Sequence, residues 1–477
     1  MTNIFSNKTK IVATVGPKVA NPSALRKLYN AGMTIARLNG SHNNLDWHKK
    51  TIKLINKVLP NVPILFDIPG KKIRTLNLKY EHSFKKNNII TLTTNPKYNG
   101  KDKVPINNNN LHLLLKEKDR VFADDGTLKF IVTKIKNRDI YCKALNDGIL
   151  KSAKGINVPH INLGADKLTK KEKKYISFAL QQKVNLVGIS FVENKSYIRK
   201  IKNFVKEKNI KIIAKIENQG GLNNMEGIIQ ISDGIMIDRG DLSIETNIES
   251  IAVFQKNIIN ACLKLSKPVI VATEMLDSMI EKPFPTKAEV LDISNAIIDG
   301  ASCIMLSGET AVGKFPVESI RVMSSVSKKV EEKLKFSIEE KVKSIPSAIG
   351  SSIKKICETL PITKVIAITV SGYAARAVSS QMLKQPIIAV SNVSENAKSF
   401  NLYRGTKGFF AKIKFSKNSL SHVPECLYLL WKKKIINNND IILITAVGYP
   451  SSGNRMNMIQ THYVKDLKVL FKWKKKN

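Results

Sequence analysis

The chain has 477 residues, with 78 Lys+Arg against 38 Asp+Glu and a formal net charge of +40. That length with 43 % hydrophobic residues excludes a largely disordered chain and leaves room for two to four domains. The five cysteines form no CxxC pair and no apolar run approaches the ~18 residues needed to cross a bilayer, so a reducing, cytoplasmic location with no membrane association is expected.

The N-terminal stretch is polar from Met1 to Lys10 and lacks the apolar core of a secretory leader. After it, short β-branched runs of the kind that form buried parallel strands recur at Ile11–Gly16, Ile35–Ser41 and Pro63–Pro69. The run stops there for more than a hundred residues, about seventy of which alternate polar and apolar, as at Ile89–Thr93, Leu128–Lys134 and Ile140–Ala144. Turn signals at Asn99-Gly100 and Asp125-Gly126 suit a small β domain inserted after the third strand. Buried-strand runs then resume at Leu186–Val192, Ile212–Asn218, Gly234–Asp241, Pro268–Met275 and Ser302–Glu309. Helical signals separate them; Thr286 and Glu289 have the spacing of a capping box ahead of Val290, Ile293 and Ile297. Eight β/α units predict a (β/α)8 TIM barrel. Further strands predicted at Val365–Val370, Pro386–Ser391, Ile441–Val447 and Val469–Trp473 make the C-terminal region α/β. The expected domains are 1–74 with 156–336 for the barrel, 75–155 for an inserted β-barrel lid, and 337–477 for the C-terminal α/β domain.

Lysines are spread along the whole chain without interleaved aromatic residues, which argues against a specific nucleic-acid surface. The chemistry gathers instead where such barrels keep their active sites, at the C-terminal ends of the strands. Those ends carry Arg37, Asn39 and Ser41; Asp67; Ser190; Lys215 and Glu217; Arg239 and Asp241; Thr273 and Glu274; Ser307 and Glu309. The two-residue period of a strand puts Lys215 and Glu217 on one face, and Asp241 ends the next predicted strand. Two carboxylates with few histidines suit Mg²⁺ or Mn²⁺ rather than zinc. Lysine, arginine and a hard cation together are equipment for a phosphoryl group.

These segments resemble the pyruvate kinase family over essentially the full length. The opening strand is Lys10-Ile11-Val12-Ala13-Thr14-Val15-Gly16-Pro17, and Arg37-Leu38-Asn39-Gly40-Ser41-His42 is similar to the family's Arg-x-Asn-Phe-Ser-His. Lys215-Ile216-Glu217-Asn218, Arg239-Gly240-Asp241-Leu242, Thr273-Glu274-Met275-Leu276 and Met305-Leu306-Ser307-Gly308-Glu309-Thr310 resemble four more of its signatures, in the same order. The resemblance implies phosphoryl transfer from phosphoenolpyruvate to ADP, giving pyruvate and ATP in glycolysis. It implies that Lys215, Thr273 and Arg37 are catalytic, and that Arg37, Lys215, Gly240, Asp241 and Thr273 bind the substrate. Arg74, Lys154, Asn39 and His42 would contact the nucleotide, while Glu217 and Asp241 would hold Mg²⁺ or Mn²⁺. The lid, with Asp124-Asp125-Gly126 and Lys154, would close over the nucleotide. A homotetramer is implied as well, with a sugar-phosphate or AMP effector at Thr369-Val370-Ser371-Gly372-Tyr373-Ala374. Two other readings compete: another Mg²⁺-dependent phosphoenolpyruvate or pyruvate enzyme of aldolase type, and a non-catalytic regulatory or nucleic-acid-binding paralogue.

The chain departs from the family pattern at informative places. Lys72 stands where members that need K⁺ carry Glu, and potassium-independent members carry such a lysine. The K⁺ site formed by Asn39, Ser41 and Asp67 is then vestigial or optional, with Lys72 as the substitute cation. Asp238 replaces a small residue, Glu274 replaces Gln, Gly40 replaces Phe and Ser243 replaces Gly. Gly308 to Lys314 matches a phosphate-binding loop up to its lysine, but Phe315 stands where Ser or Thr is required.

Overall fold

The computed structural model describes residues 7–70, 72–124, 126–159, 161, 168–206, 209–333, 344–416, 418–448 and 456–474. Lys71, Asp125 and the expected boundary at 336/337 lie outside the described residues. Eight parallel strands close a barrel in chain order: Lys10–Thr14, Ile35–Asn39, Ile64–Ile68, Leu186–Ile189, Lys211–Ile216, Gly234–Asp238, Val269–Ala272 and Cys303–Leu306. The first and last pair directly, Lys10 with Cys303 through Ala13 with Leu306.

Side chains pointing into the barrel alternate along each strand, and their chemistry changes from one end to the other. Val12, Ile35, Leu65, Ile213 and Met236 fill the interior at the N-terminal end and join the apolar core of the C-terminal domain. Two residues further on, on the same inward face, stand Thr14, Arg37, Asp67, Lys215 and Asp238. The outward faces pack against the helices in a separate core that includes Ile11, Leu38, Phe66, Ala214 and Ile237. An apolar plug at one end and a polar, charged mouth at the other therefore follow from a two-residue step along five strands.

The observed strands are shorter at their C-terminal ends than the predicted ones. The ladder stops where the backbone turns out of the mouth, so Asp241 lies in the first turn of the helix Arg239–Glu245, not on a strand. Thr273 and Glu274 follow their strand with φ of 70° and 52°, and Glu309 sits in the short helix Gly308–Ala311. That helix accounts for the stretch resembling a phosphate-binding loop. The predicted capping box is present: Thr286 caps Lys287–Asp299 and Glu289 returns the bond.

The insert is a seven-stranded sheet running from Ile73–Arg74 through Gly155–Asn157, Arg120–Ala123, Leu128–Lys136, Asp139–Ala144 and Ile89–Thr93 to Val104–Pro105. Its two ends meet, since Asn107 donates its N–H to Arg74 O and Leu76 to Pro105 O, so the sheet curls closed. It takes in Ile73, Arg74, Ile156 and Asn157, which the sequence assigned to the barrel; cross-strand pairing of Ile73 with Ile156 draws both chain crossings into it.

The C-terminal domain has five strands in the order Thr406–Phe410, Ile387–Ser391, Lys364–Ile368, Ile441–Ala446 and Met458–Tyr463, the last antiparallel. The strand predicted at Val469–Trp473 is not there. Val464–Leu470 is a helix that buries Val464 and Leu467, three apart, and leaves Val469 and Leu470 exposed. All five cysteines are free and buried. Among the described residues no helix is long and apolar enough to cross a membrane.

Candidate active site

An open cleft of about 910 Å³ lies at the C-terminal mouth of the barrel, lined by Arg37, Asp67, Lys215, Glu217, Asp241 and Thr273 among others. Its floor is a network of charges on neighbouring strands. The Lys215 ammonium lies 2.7 Å from Glu217 Oε1, 3.0 Å from Asp238 Oδ2 and 3.4 Å from Asp67 Oδ2. Arg37 donates to the same Asp67 oxygen through Nη2 at 2.5 Å and Nε at 3.1 Å, and to Thr14 Oγ1 at 3.0 Å. Gly188 on the adjacent strand makes room for Asp67, because a Cβ there would stand 2.9 Å from Oδ1. Glu217 Oε2 accepts the Phe191 N–H at 2.5 Å.

A second cation enters from the insert. Lys72 Nζ reaches Asp241 Oδ1 at 2.6 Å. Gly155, on the returning strand of the insert, leaves space for this side chain: a Cβ there would meet Lys72 Cε at 2.8 Å. One oxygen from each of Glu217, Asp238 and Asp241 lies within 4.8 Å of the other two. Clustered carboxylate oxygens are the donors a hard divalent cation takes, so these residues fit such an ion.

The turn after the seventh barrel strand is clamped from below. The buried Arg239 donates to Thr273 O at 2.6 Å, to Glu274 O at 3.1 Å and to both oxygens of Asp292 at 2.8 and 2.7 Å. Two consecutive non-glycine residues at positive φ are strained, and this guanidinium holds them in place. Thr273 Oγ1 is thereby set to accept the Gly240 N–H at 2.8 Å and to donate to Ala272 O at 2.5 Å.

Comparison with known proteins decides which chemistry this is. Residues 6–320 match the family model for the pyruvate kinase barrel domain and residues 347–462 that for the pyruvate kinase alpha/beta domain. The chain is 34 % identical to pyruvate kinase 2 of Synechocystis, covering 97 % of this chain and 80 % of that one. It is 35 % identical to a pyruvate kinase of Staphylococcus saprophyticus, over 96 % of this chain and 81 % of the other. A crystal structure of a pyruvate kinase from Cryptosporidium parvum superposes with a TM-score of 0.87 at 31 % identity, covering 96 % of each chain. The chain belongs to the pyruvate kinase family. A pyruvate kinase uses phosphoenolpyruvate, ADP and a divalent metal. Matches that run through both the barrel and the C-terminal domain leave no room for the aldolase-type reading.

Within that pyruvate kinase frame, Arg37, Lys215, Glu217, Asp67, Asp241 and Thr273 converge on one cleft, as do Asn39, Ser41, His42, Lys72 and Arg74 at its rim. Asn39 Oδ1 accepts the Ser41 N–H at 3.1 Å, and His42 is exposed, its carbonyl 2.9 Å from His48 Nε2. Arg74 donates to Ala153 O at 2.9 Å. Lys154 does not line the cleft; its ammonium pairs with Asp124 at 2.7 Å. The Gly240 N–H, expected to face the substrate, is turned to Thr273. Glu309 accepts the Leu276 and Ser307 N–H groups, which makes it a brace for two loops.

Asp238 is the member of the network that the sequence reading left out of its site. Its signal was the two-residue step from Met236, which fixes an inward direction but not a partner. Burial works against the Lys215 ammonium, yet Asp67, Glu217 and Asp238 together hold its pKa well above the ordinary lysine value. Burial pushes the Glu217 carboxyl up against the pull of Lys215. For Asp238 burial acts in the same sense, but the Lys215 contact outweighs it and holds the group below its ordinary value.

Proposed function

We propose that the enzyme transfers the phosphoryl group of phosphoenolpyruvate to ADP with Lys215 and Arg37 as the cations that meet it, on Mg²⁺ or Mn²⁺, and without K⁺. The observation that carries this reading is the Lys215 ammonium, fixed at 2.7, 3.0 and 3.4 Å from three carboxylates at the barrel mouth. A lysine so held stays charged at neutral pH and its position is set before the substrate arrives. Charge developing on the transferring phosphoryl then meets a cation that needs no reorganisation.

Glu217 and Asp241 would hold the divalent ion. When bound, it neutralises charge on the substrate's carboxylate and phosphate oxygens. Thr273 stands beside the substrate's methylene carbon, on a turn braced by Arg239, and relays a proton there through water. Arg74 and the insert cover the nucleotide and exclude water as the lid closes. Lys72 supplies the fixed positive charge that a monovalent cation gives other members, although it does so from Asp241 rather than from Asn39, Ser41 and Asp67. We also infer a homotetramer in the cytoplasm and an effector, a sugar phosphate or AMP, at the Thr369–Ala374 turn. That turn is closed by the Gly372 N–H to Thr369 Oγ1, with Gly372 at φ 93°, and it leaves Ser371 exposed.

Pyruvate formation from phosphoenolpyruvate and ADP with Mg²⁺, for the native protein and Lys215→Met, is the test. No pyruvate from the native protein rejects the assignment; equal rates from both reject the role of Lys215. Kinetics unchanged by sugar phosphates and AMP reject the effector.

A further inference from the structure

We propose that Asp238 is a third carboxylate of the divalent-ion site, and that it restores the negative charge which Lys72 removes. The inference deepens the reading above and rests on a divalent ion at Glu217 and Asp241.

The first argument is position. Asp238 ends the sixth barrel strand and takes the N-cap position of the helix Arg239–Glu245, yet its side chain makes no capping hydrogen bond. An aspartate at that position ordinarily accepts from the N–H two or three residues on, which stabilises the helix. Here the carboxylate gives up that bond and turns into the barrel. Its Oδ2 lies 3.0 Å from Lys215 Nζ, and it shares a 4.8 Å cluster with oxygens of Glu217 and Asp241.

The second argument is charge. Lys215 lies 2.7 Å from Glu217, and Lys72 lies 2.6 Å from Asp241. Arg37 and Asp67 form a further pair at 2.5 Å. With Glu217 ionised, as a ligand of a divalent ion is, Glu217, Asp241 and Asp67 are each matched by one cation, so without Asp238 this set is neutral. A neutral set exerts little pull on a divalent ion. Asp238 leaves it with one net negative charge, and because the side chain is buried that charge is weakly screened by water. The two departures, Lys72 and Asp238, therefore act as one compensated pair: the lysine neutralises Asp241, and the aspartate gives the ion a replacement oxygen.

The test is Mn²⁺ binding to the full chain, without phosphoenolpyruvate or nucleotide, followed by the electron paramagnetic resonance signal of free Mn²⁺. Asp238→Asn, which keeps the shape, and Asp238→Ala should each bind Mn²⁺ at least tenfold more weakly than the native protein. Lys72→Met should bind it more tightly, a gain that misfolding does not produce. Native-like binding by both Asp238 variants alongside weak binding by Asp241→Asn overturns the inference and leaves the metal site standing. Native-like binding by Asp241→Asn removes the metal reading itself, and the inference with it.

Discussion

The Lys72 ammonium and the Asp241 carboxylate meet at 2.6 Å, joining the edge of the insert to the first turn of the barrel helix that opens onto the cleft. Both partners are half-buried, so the pair is less screened than a surface ion pair. A fixed cation at this place does locally what a bound monovalent ion does elsewhere, and it cannot be exchanged. The native enzyme should therefore show the same rate in Na⁺ and K⁺ buffers of equal ionic strength. An order-of-magnitude rise in K⁺ would reject the assignment. Lys72→Glu should turn the rate K⁺-dependent, and a variant equally active in both salts would show that Lys72 plays no such part.

Removing the central cation should cost far more. Lys215→Met keeps the apolar stem of the side chain but leaves Glu217 and Asp238 without their cation and Asp67 with Arg37 alone. The turnover number should fall by a factor on the order of 10²–10³ or more, as when one preorganised charge-stabilising group is lost. Steady-state assays across phosphoenolpyruvate concentrations will separate this from weaker binding. A variant that loses only affinity would make Lys215 a binding group and not a catalytic one.

Much of this site could be read from periodicity, and what could not has a physical cause. Ile213, Lys215 and Glu217 lie two apart on one inward face, so their convergence follows from the strand alone. The strand ends did not follow: Asp241 is on a helix because the chain turns out of the barrel at Arg239, and nothing in the local pattern marks that turn. The polar strand Met458–Tyr463, at a sheet edge, carries no buried-strand signature, whereas Val469 to Trp473 carries one and forms the end of a helix and the turn after it. Apolar content alone does not distinguish the two; the spacing of Val464 and Leu467 does. The pairing of Lys72 with Asp241 joins residues 169 apart in the chain and is a property of the fold.

The capping box at the head of Lys287–Asp299 offers a local test of stability. Thr286 accepts the Glu289 N–H at 3.2 Å, and Glu289 accepts the Thr286 N–H at 2.7 Å and two bonds from Ser278 at 2.8 and 2.6 Å. This helix carries Asp292, which anchors Arg239 beneath the Thr273 turn. Thr286→Ala should lower stability by about 1 kcal/mol, measured by urea unfolding. A midpoint unchanged from the native protein would show that the Ser278 bonds alone hold the helix end.

Glu245 makes a prediction about pH. Its carboxylate accepts the Asn157 amide at 2.7 Å, again between the insert and the barrel, and its residue is buried. Burial raises its pKa to about 7; Asp241 adds to the rise, and the Asn157 bond opposes it. A carboxyl whose folded pKa exceeds its unfolded value contributes stability that is complete below the unfolded value and disappears as pH rises through the folded one. In EDTA, native stability should therefore fall between about pH 4.5 and pH 7, by up to about 3 kcal/mol from this group. Glu245→Gln keeps an oxygen for Asn157 but carries no charge to bury. It should flatten that slope and be more stable than the native protein at pH 8. Unfolding curves with the same pH slope in both proteins would mean that Glu245 does not titrate in this window.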